Sequence, residues 1–201
     1  MRRHLGKGLG ERRTARTGRG VLIVGVGNEL LGDEGLGVHV ARSLTRRRHW
    51  LPASVEVVDA GVALLDLIGD FAGFSRVIIV DAMCAGGKAG TVYRLELDRR
   101  LLAERGPTPI SLHQLGVDET LRVASLAGLL PGRITVVGAE PERIAPGIGL
   151  SPTLLRAKRR IMALLQAELG TRKARVRGAS GELPRVMRRT PSSRAPRRSA
   201  T

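Results

Sequence analysis

Three side chains, Glu34, Asp81 and His113, offer two carboxylates and one imidazole, each in a loop segment or at the end of an apolar run. Such a mixed oxygen and nitrogen set suits zinc, nickel, iron or manganese better than calcium or magnesium. Three protein ligands also leave coordination positions open for water or substrate. Taken singly, each residue has a structural reading. Asp33 or Glu34 could cap and charge the first turn of a helix, Asp81 could accept loop N–H groups at a strand end, and His113 could be an ordinary packed or surface histidine. Their convergence on one edge of a sheet is what favours a site.

Other chemistries fit less well. Gly25-Val26-Gly27 invites a dinucleotide reading, but Leu30 stands where the third glycine of the fingerprint belongs. Asp33 and Glu34 then fall where a pyrophosphate would meet the helix N-terminus, and they would repel it. Cys84, three residues after Asp81, is within reach of the same edge. As a nucleophile it would need His113 to orient it, so a passive thiol is the favoured reading. His39 lies near half a turn from the Glu34 face, and His4 and His49 have no partner in the sequence. There is neither a G-x-S-x-G elbow nor an H-E-x-x-H pair.

The elements that must position these groups alternate along the chain. Residues 21–27, VLIVGVG, form a continuous apolar run of the kind buried in a parallel sheet. Residues 34–48 suit a helix, with Leu36, Val40 and Leu44 repeating and Val38 and Ala41 beside them. Strands are predicted at 54–59 and 76–82, a half-exposed alternating strand at 91–97, and a last strand at 133–139. Helices are predicted at 62–71, 117–130 and 152–169, the last opened by Pro152 and closed by Gly170. Its apolar face comprises Leu154, Leu155, Ile161, Met162, Leu165 and Leu169. The alternation predicts one α/β domain, a twisted, mostly parallel sheet of about five strands with helices on both faces. In such a sheet ligands bind at the carboxyl ends of the strands. Asp59, Asp81 and the Gly27–Glu34 segment stand at those ends.

Charge is distributed unevenly over the 201 residues, whose net charge is +16. Residues 1–20 carry seven Lys or Arg and one Glu, and residues 171–201 carry ten and one. The domain between, 21–170, holds 17 basic and 16 acidic residues. The two ends therefore read as basic disordered tails, with too little apolar surface to offset chain entropy. A nucleic-acid-binding fold does not follow from the overall charge, and four aromatic residues provide no platform for stacking bases. One cysteine excludes an intrachain disulfide and a cysteine-cluster metal site. No apolar run approaches the roughly 20 residues of a membrane helix. The N-terminus lacks the apolar region of a secretory signal, so a cytoplasmic location is the default.

GVGNELLGDEGLGV, VEVVDAG, VIIVDAM, SLHQLG and VVGAEPERIAPGIGLSP, in this order, closely resemble the hydrogenase maturation endopeptidases. The resemblance spans residues 21 to about 169 and leaves out both basic tails. It implies an endopeptidase, aspartyl-type or metal-assisted, that removes the C-terminal extension of the nickel–iron hydrogenase large-subunit precursor once nickel is inserted. It also implies that the metal contacts fall on Glu34, Asp81 and His113, and that Asp59 occupies the aspartate of the D-A-G turn. Asp81 and Asp59 are the catalytic candidates, Asp59 as base or supporting group, and Asn28 and Gly27 are candidates for holding the substrate backbone. Nickel would be supplied by the substrate, with no tightly held resident metal. Two other readings remain open: a non-catalytic nickel-binding hydrogenase assembly factor, and a nucleic-acid-associated protein acting through its tails.

Overall fold

Five strands, β1 (Val21–Val26), β2 (Val55–Gly61), β3 (Arg76–Ala82), β4 (Val92–Leu97) and β5 (Arg133–Ala139), form one sheet in the computed structural model. The structure describes residues 18, 20–97 and 117–170. The two predicted tails, apart from residues 18 and 20, and His113 with its loop lie outside these residues. The strand order is β2-β1-β3-β5-β4. All neighbours are parallel except β4, which runs antiparallel to β5 along the edge. The half-exposed alternation of residues 92–97 is the signature of that edge position.

Two layers of helices cover the sheet. On one face, α1 (Leu36–Arg46) and α4 (Pro152–Gly170) pack over Ile23, Ile78, Val80 and Val137. On the other, α2 (Ile68–Phe71) and α3 (Val117–Leu126) pack over Leu22, Val24, Val77, Ile79 and Ile134. The alternation of side chains along each strand sends successive apolar residues to opposite layers, so β1 and β3 read as unbroken apolar runs. Among the described residues no helix is long and apolar enough to cross a membrane.

Three of the four helices are shorter than their periodicity predicts, and local chemistry accompanies each difference. A 3-10 turn at Asp33–Gly35 precedes α1, and a second follows it at Arg48–Trp50. The 62–71 segment begins as a 3-10 turn at Leu64–Leu67 and becomes α-helical only at Ile68. The 117–130 segment ends at Leu126, because Gly128 adopts a positive φ of 69°. There the Leu129 N–H reaches back to the Ala124 carbonyl at 2.8 Å and closes the helix. The start of α4 matches its signals, with Ser151 Oγ accepting the Leu154 N–H at 3.2 Å and Pro152 in the first turn. Leu155, assigned to its apolar face, is instead 43% exposed.

The connections place a crevice where function needs one. β1 leads through α1 to β2 on one side, whereas the next strand, β3, returns on the other side of β1. Chains leaving the carboxyl ends of β1 and β3 therefore diverge, which opens the sheet's ligand-binding position between them. Helix α1 sits unusually low over this point: a Cβ at Gly37 would collide with the carbonyl oxygens of Val26 and Val80. Gly37 thus lets the first turn of α1 rest directly on β1 and β3.

Candidate active site

The crevice is walled by the Gly27–Glu34 segment after β1 and by Asp81 near the end of β3. Gly27, at φ 133°, brings its backbone against the Glu34 carbonyl, and any side chain there would strike that oxygen. The turn therefore needs glycine both for conformation and for close approach. Its N–H donates to the Gly61 carbonyl at 2.9 Å, while Asn28 Oδ1 accepts the Leu30 N–H at 3.0 Å. The polar groups that make those bonds are engaged inside the protein, that of Gly27 with the end of β2 and that of Asn28 within its own loop.

Asp33 and Glu34 are adjacent in sequence but have opposite fates. Asp33 is 2% exposed, and its carboxylate accepts the N–H groups of Ser151 at 2.7 Å, Glu142 at 2.9 Å and Arg143 at 3.2 Å. Two bridges, Leu31 with Gly147 and Gly32 with Ile144, zip the same loops together. Asp33 is thus the internal anchor of the 142–151 loop, with charge-assisted hydrogen bonds to three donors. Neither Asp33 nor Glu34 supplies a side-chain cap to the 3-10 turn or to α1. Glu34 Oε2, by contrast, is buried and has no hydrogen-bond partner among the described residues.

Asp81 faces the same space. Its Oδ1 accepts the Ala82 N–H at 2.8 Å, and burial pushes its pKa up to about 7. The Ala82 bond works against that rise, and the negative charge of Glu34 adds to it. Two carboxylates thus converge in a poorly solvated crevice without an opposing cation among the described residues. The arrangement destabilises negative charge and suits either a shared proton or an incoming cation. No group of three His, Cys, Asp or Glu capable of holding a metal forms among the described residues. His113, the third predicted contact, lies outside them.

Asp59 stands apart from this pair. Register places Asp59 and Val80 level with each other on either side of Gly25, so two strand spacings, roughly 10 Å, separate their strands. Alternation also groups Asp59 with Val55 and Val57 on the α1 face, and Asp81 with Val77 and Ile79 on the opposite one. Asp59 Oδ2 accepts Arg42 Nε at 2.7 Å, and Oδ1 accepts the Gly61 N–H at 3.1 Å. The other end of the Arg42 guanidinium forks onto Glu29, whose carboxyl it holds below its ordinary value. Arg42 was not among the sequence candidates; nothing in its spacing singles it out among the α1 cations. His39 also stays apart: it is half-buried, and burial and the charge of Lys158 lower its pKa.

Another carboxylate, Glu140, was missed as well. It is 8% exposed and accepts the N–H groups of Ala85 at 2.9 Å and of Gly86 and Gly87 at 3.2 Å. It also accepts the Tyr93 hydroxyl at 2.7 Å. This holds the 83–90 loop, including exposed Cys84, beside the end of β3. The signal was present in the glycines of CAGGKAG, whose successive N–H groups form a concavity that wants an anion.

Fold and site together define a doubly wound α/β protein with an unneutralised carboxylate pair at the topological switch point. The sequence profile of the hydrogenase maturation proteases matches residues 38–168, and the chain belongs to that family. It is 38% identical over 134 residues to the hydrogenase 2 maturation protease of Escherichia coli strain K12, covering 67% of this chain and 80% of that protein. Identity to the hydrogenase expression/formation protein HoxM of Cupriavidus necator is 36% over 124 residues, 62% of this chain and 60% of that one. The fold superposes on the E. coli hydrogenase maturating endopeptidase HybD with a TM-score of 0.63 and 34% identity, over 75% of this chain and 92% of that one. A hydrogenase 2 maturation peptidase from a Thaumarchaeota archaeon is 30% identical, with a TM-score of 0.59 over 76% of this chain and 99% of that one. The chain is accordingly a hydrolase of the maturation-protease family.

Proposed function

We propose that this enzyme removes the C-terminal extension of a nickel–iron hydrogenase large-subunit precursor after nickel insertion, and that it recognises the nickel carried by that substrate. The observation that carries the proposal is the Glu34–Asp81 pair: a buried, unpartnered carboxylate oxygen beside a carboxyl whose proton is held to about pH 7. Such a pair is poorly matched to an anionic or neutral ligand and well matched to a cation presented by another molecule. Glu34, Asp81 and His113 are the groups that would grip it. Three protein ligands leave room for the substrate's own donors.

Grip at this point also locates the scissile bond. A peptide bond in an extended C-terminal segment has little to distinguish it, and fixing the nearby nickel brings one bond within reach of the crevice. Asp81, which holds a proton up to about pH 7 while the crevice is without a cation, would give it up as the nickel docks, leaving a carboxylate placed to hold an attacking water near the bound metal. Asp59, through Arg42, steadies α1 against β2 at the flank of the site. The reading accounts for a protease without a serine elbow or zinc-peptidase helix.

The test is incubation with nickel-loaded and nickel-free precursor, followed by mass spectrometry. Loss of the extension only from the nickel-loaded form, with zinc unable to replace nickel, is the expected result. Efficient cutting of nickel-free precursor would overturn recognition through nickel.

A further inference from the structure

A second surface lies away from the carboxylate crevice, between the C-terminal turn of α1 and the exposed side of α4. It is a groove of about 370 Å³ whose lining includes Arg47, Trp50, Leu155, Lys158, Arg159 and Met162. Its charge is uncompensated. Among the described residues, ion pairs tie Arg42, Arg76, Arg94, Arg122 and Arg133 to carboxylates, and none involves Arg47, Lys158 or Arg159. Burial lowers the Lys158 pKa, and the nearby charges of Arg46 and Arg47 lower it further. The groove also has an apolar component, since Leu155 is 43% exposed instead of joining the core.

We propose that this groove docks an acidic, amphipathic segment of a partner protein, its carboxylates meeting Arg47, Lys158 and Arg159 and an apolar side chain covering Leu155. Charge selects this occupant. Residues 1–17 carry six basic and one acidic residue and residues 171–201 ten and one, so the chain's own ends have the wrong charge for this groove. A second copy docking by two-fold symmetry would present the same positive groove. Nucleic acid is disfavoured because the Arg47 guanidinium already lies 4.5 Å over the Trp50 ring, leaving that face unavailable for base stacking. The groove's apolar component likewise suits a side chain better than a phosphate backbone.

Trp50 is the chain's single tryptophan, so its fluorescence reports this groove and not the basic ends. The experiment titrates the full chain with a synthetic amphipathic Leu/Glu peptide, its Leu/Gln counterpart, and a DNA duplex. The Leu/Glu peptide should shift Trp50 emission saturably, while the Leu/Gln peptide and the duplex should not. Arg159→Glu and, separately, Leu155→Glu should each weaken the peptide at least about tenfold, or about 1.4 kcal/mol, with melting temperatures unchanged. Both positions are exposed, so neither substitution threatens the fold. No Trp50 response, an equal response in both variants, or an equal response to the duplex would overturn the proposal. The peptidase reading does not depend on this groove and stands whichever way the titration goes.

Discussion

Asp59 and Asp81 both stand near the carboxyl ends of parallel strands, yet they live in opposite electrostatic worlds. Asp59 is tied to Arg42, which Glu29 also holds, in a partly exposed network. Asp81 has one backbone donor, a neighbouring carboxylate and a pKa raised to about 7. Asp33 and Glu34 repeat the contrast between adjacent residues: three N–H donors satisfy one, and the other leaves an oxygen without a partner. A carboxylate whose bonds are completed within the fold is holding something in place. One that the fold leaves incomplete is available for a ligand, and among the described residues Glu34, beside Asp81, is the buried carboxylate in that state.

The most severe test of this division is catalytic. Asp81→Asn and Glu34→Gln should each reduce cleavage of nickel-loaded precursor by about 10²-fold or more, the scale of losing a positioned acid–base group. Asp59→Asn should cost less than about tenfold. Equal losses in Asp59→Asn and Asp81→Asn, read by mass spectrometry, would erase the distinction.

Stability should reverse the ranking. Asp33→Ala strands buried N–H groups of Glu142, Arg143 and Ser151 and should cost on the order of 3 kcal/mol in urea unfolding. Glu34→Gln should cost little or even stabilise, because it relieves repulsion between two carboxylates. A large loss in Glu34→Gln would show that Glu34 is structural after all.

The next effect depends on pH. Folded Asp81 keeps its proton to about pH 7, whereas an unfolded aspartate releases it near 4. Between these values the folded state binds the extra proton, so this group's contribution to stability falls as pH rises. Asp81→Asn should therefore gain melting temperature over the parent from pH 4 to pH 8, with little difference at the acid end. A constant difference across the range would mean that Asp81 is not desolvated. The smallest effect belongs to the exposed network, where Arg42→Ala should barely move the urea midpoint because solvent screens such pairs. A large shift would make Arg42 a structural centre comparable to Asp33.

The element pattern was legible in the chain because it follows from local periodicity. VLIVGV and the VIIV of RVIIVDA are unbroken apolar runs, as strands covered on both faces must be, and the observed β1 and β3 match these segments closely. Leu36, Val40 and Leu44 announced the buried face of α1. The presence of carboxylates at strand ends was equally local, and with the rule that parallel sheets bind ligands there it made Glu34 and Asp81 candidates. Tertiary structure decided the rest. Neither periodicity nor spacing says that β3 would return beside β1 on the side away from β2, yet that step opens the crevice between Glu34 and Asp81. Nor could adjacent Asp33 and Glu34 be told apart until the 142–151 loop, more than a hundred residues away, arrived with its N–H groups for one of them. Periodicity is written in near neighbours, whereas the satisfaction of a charge depends on groups that only the folded chain brings together.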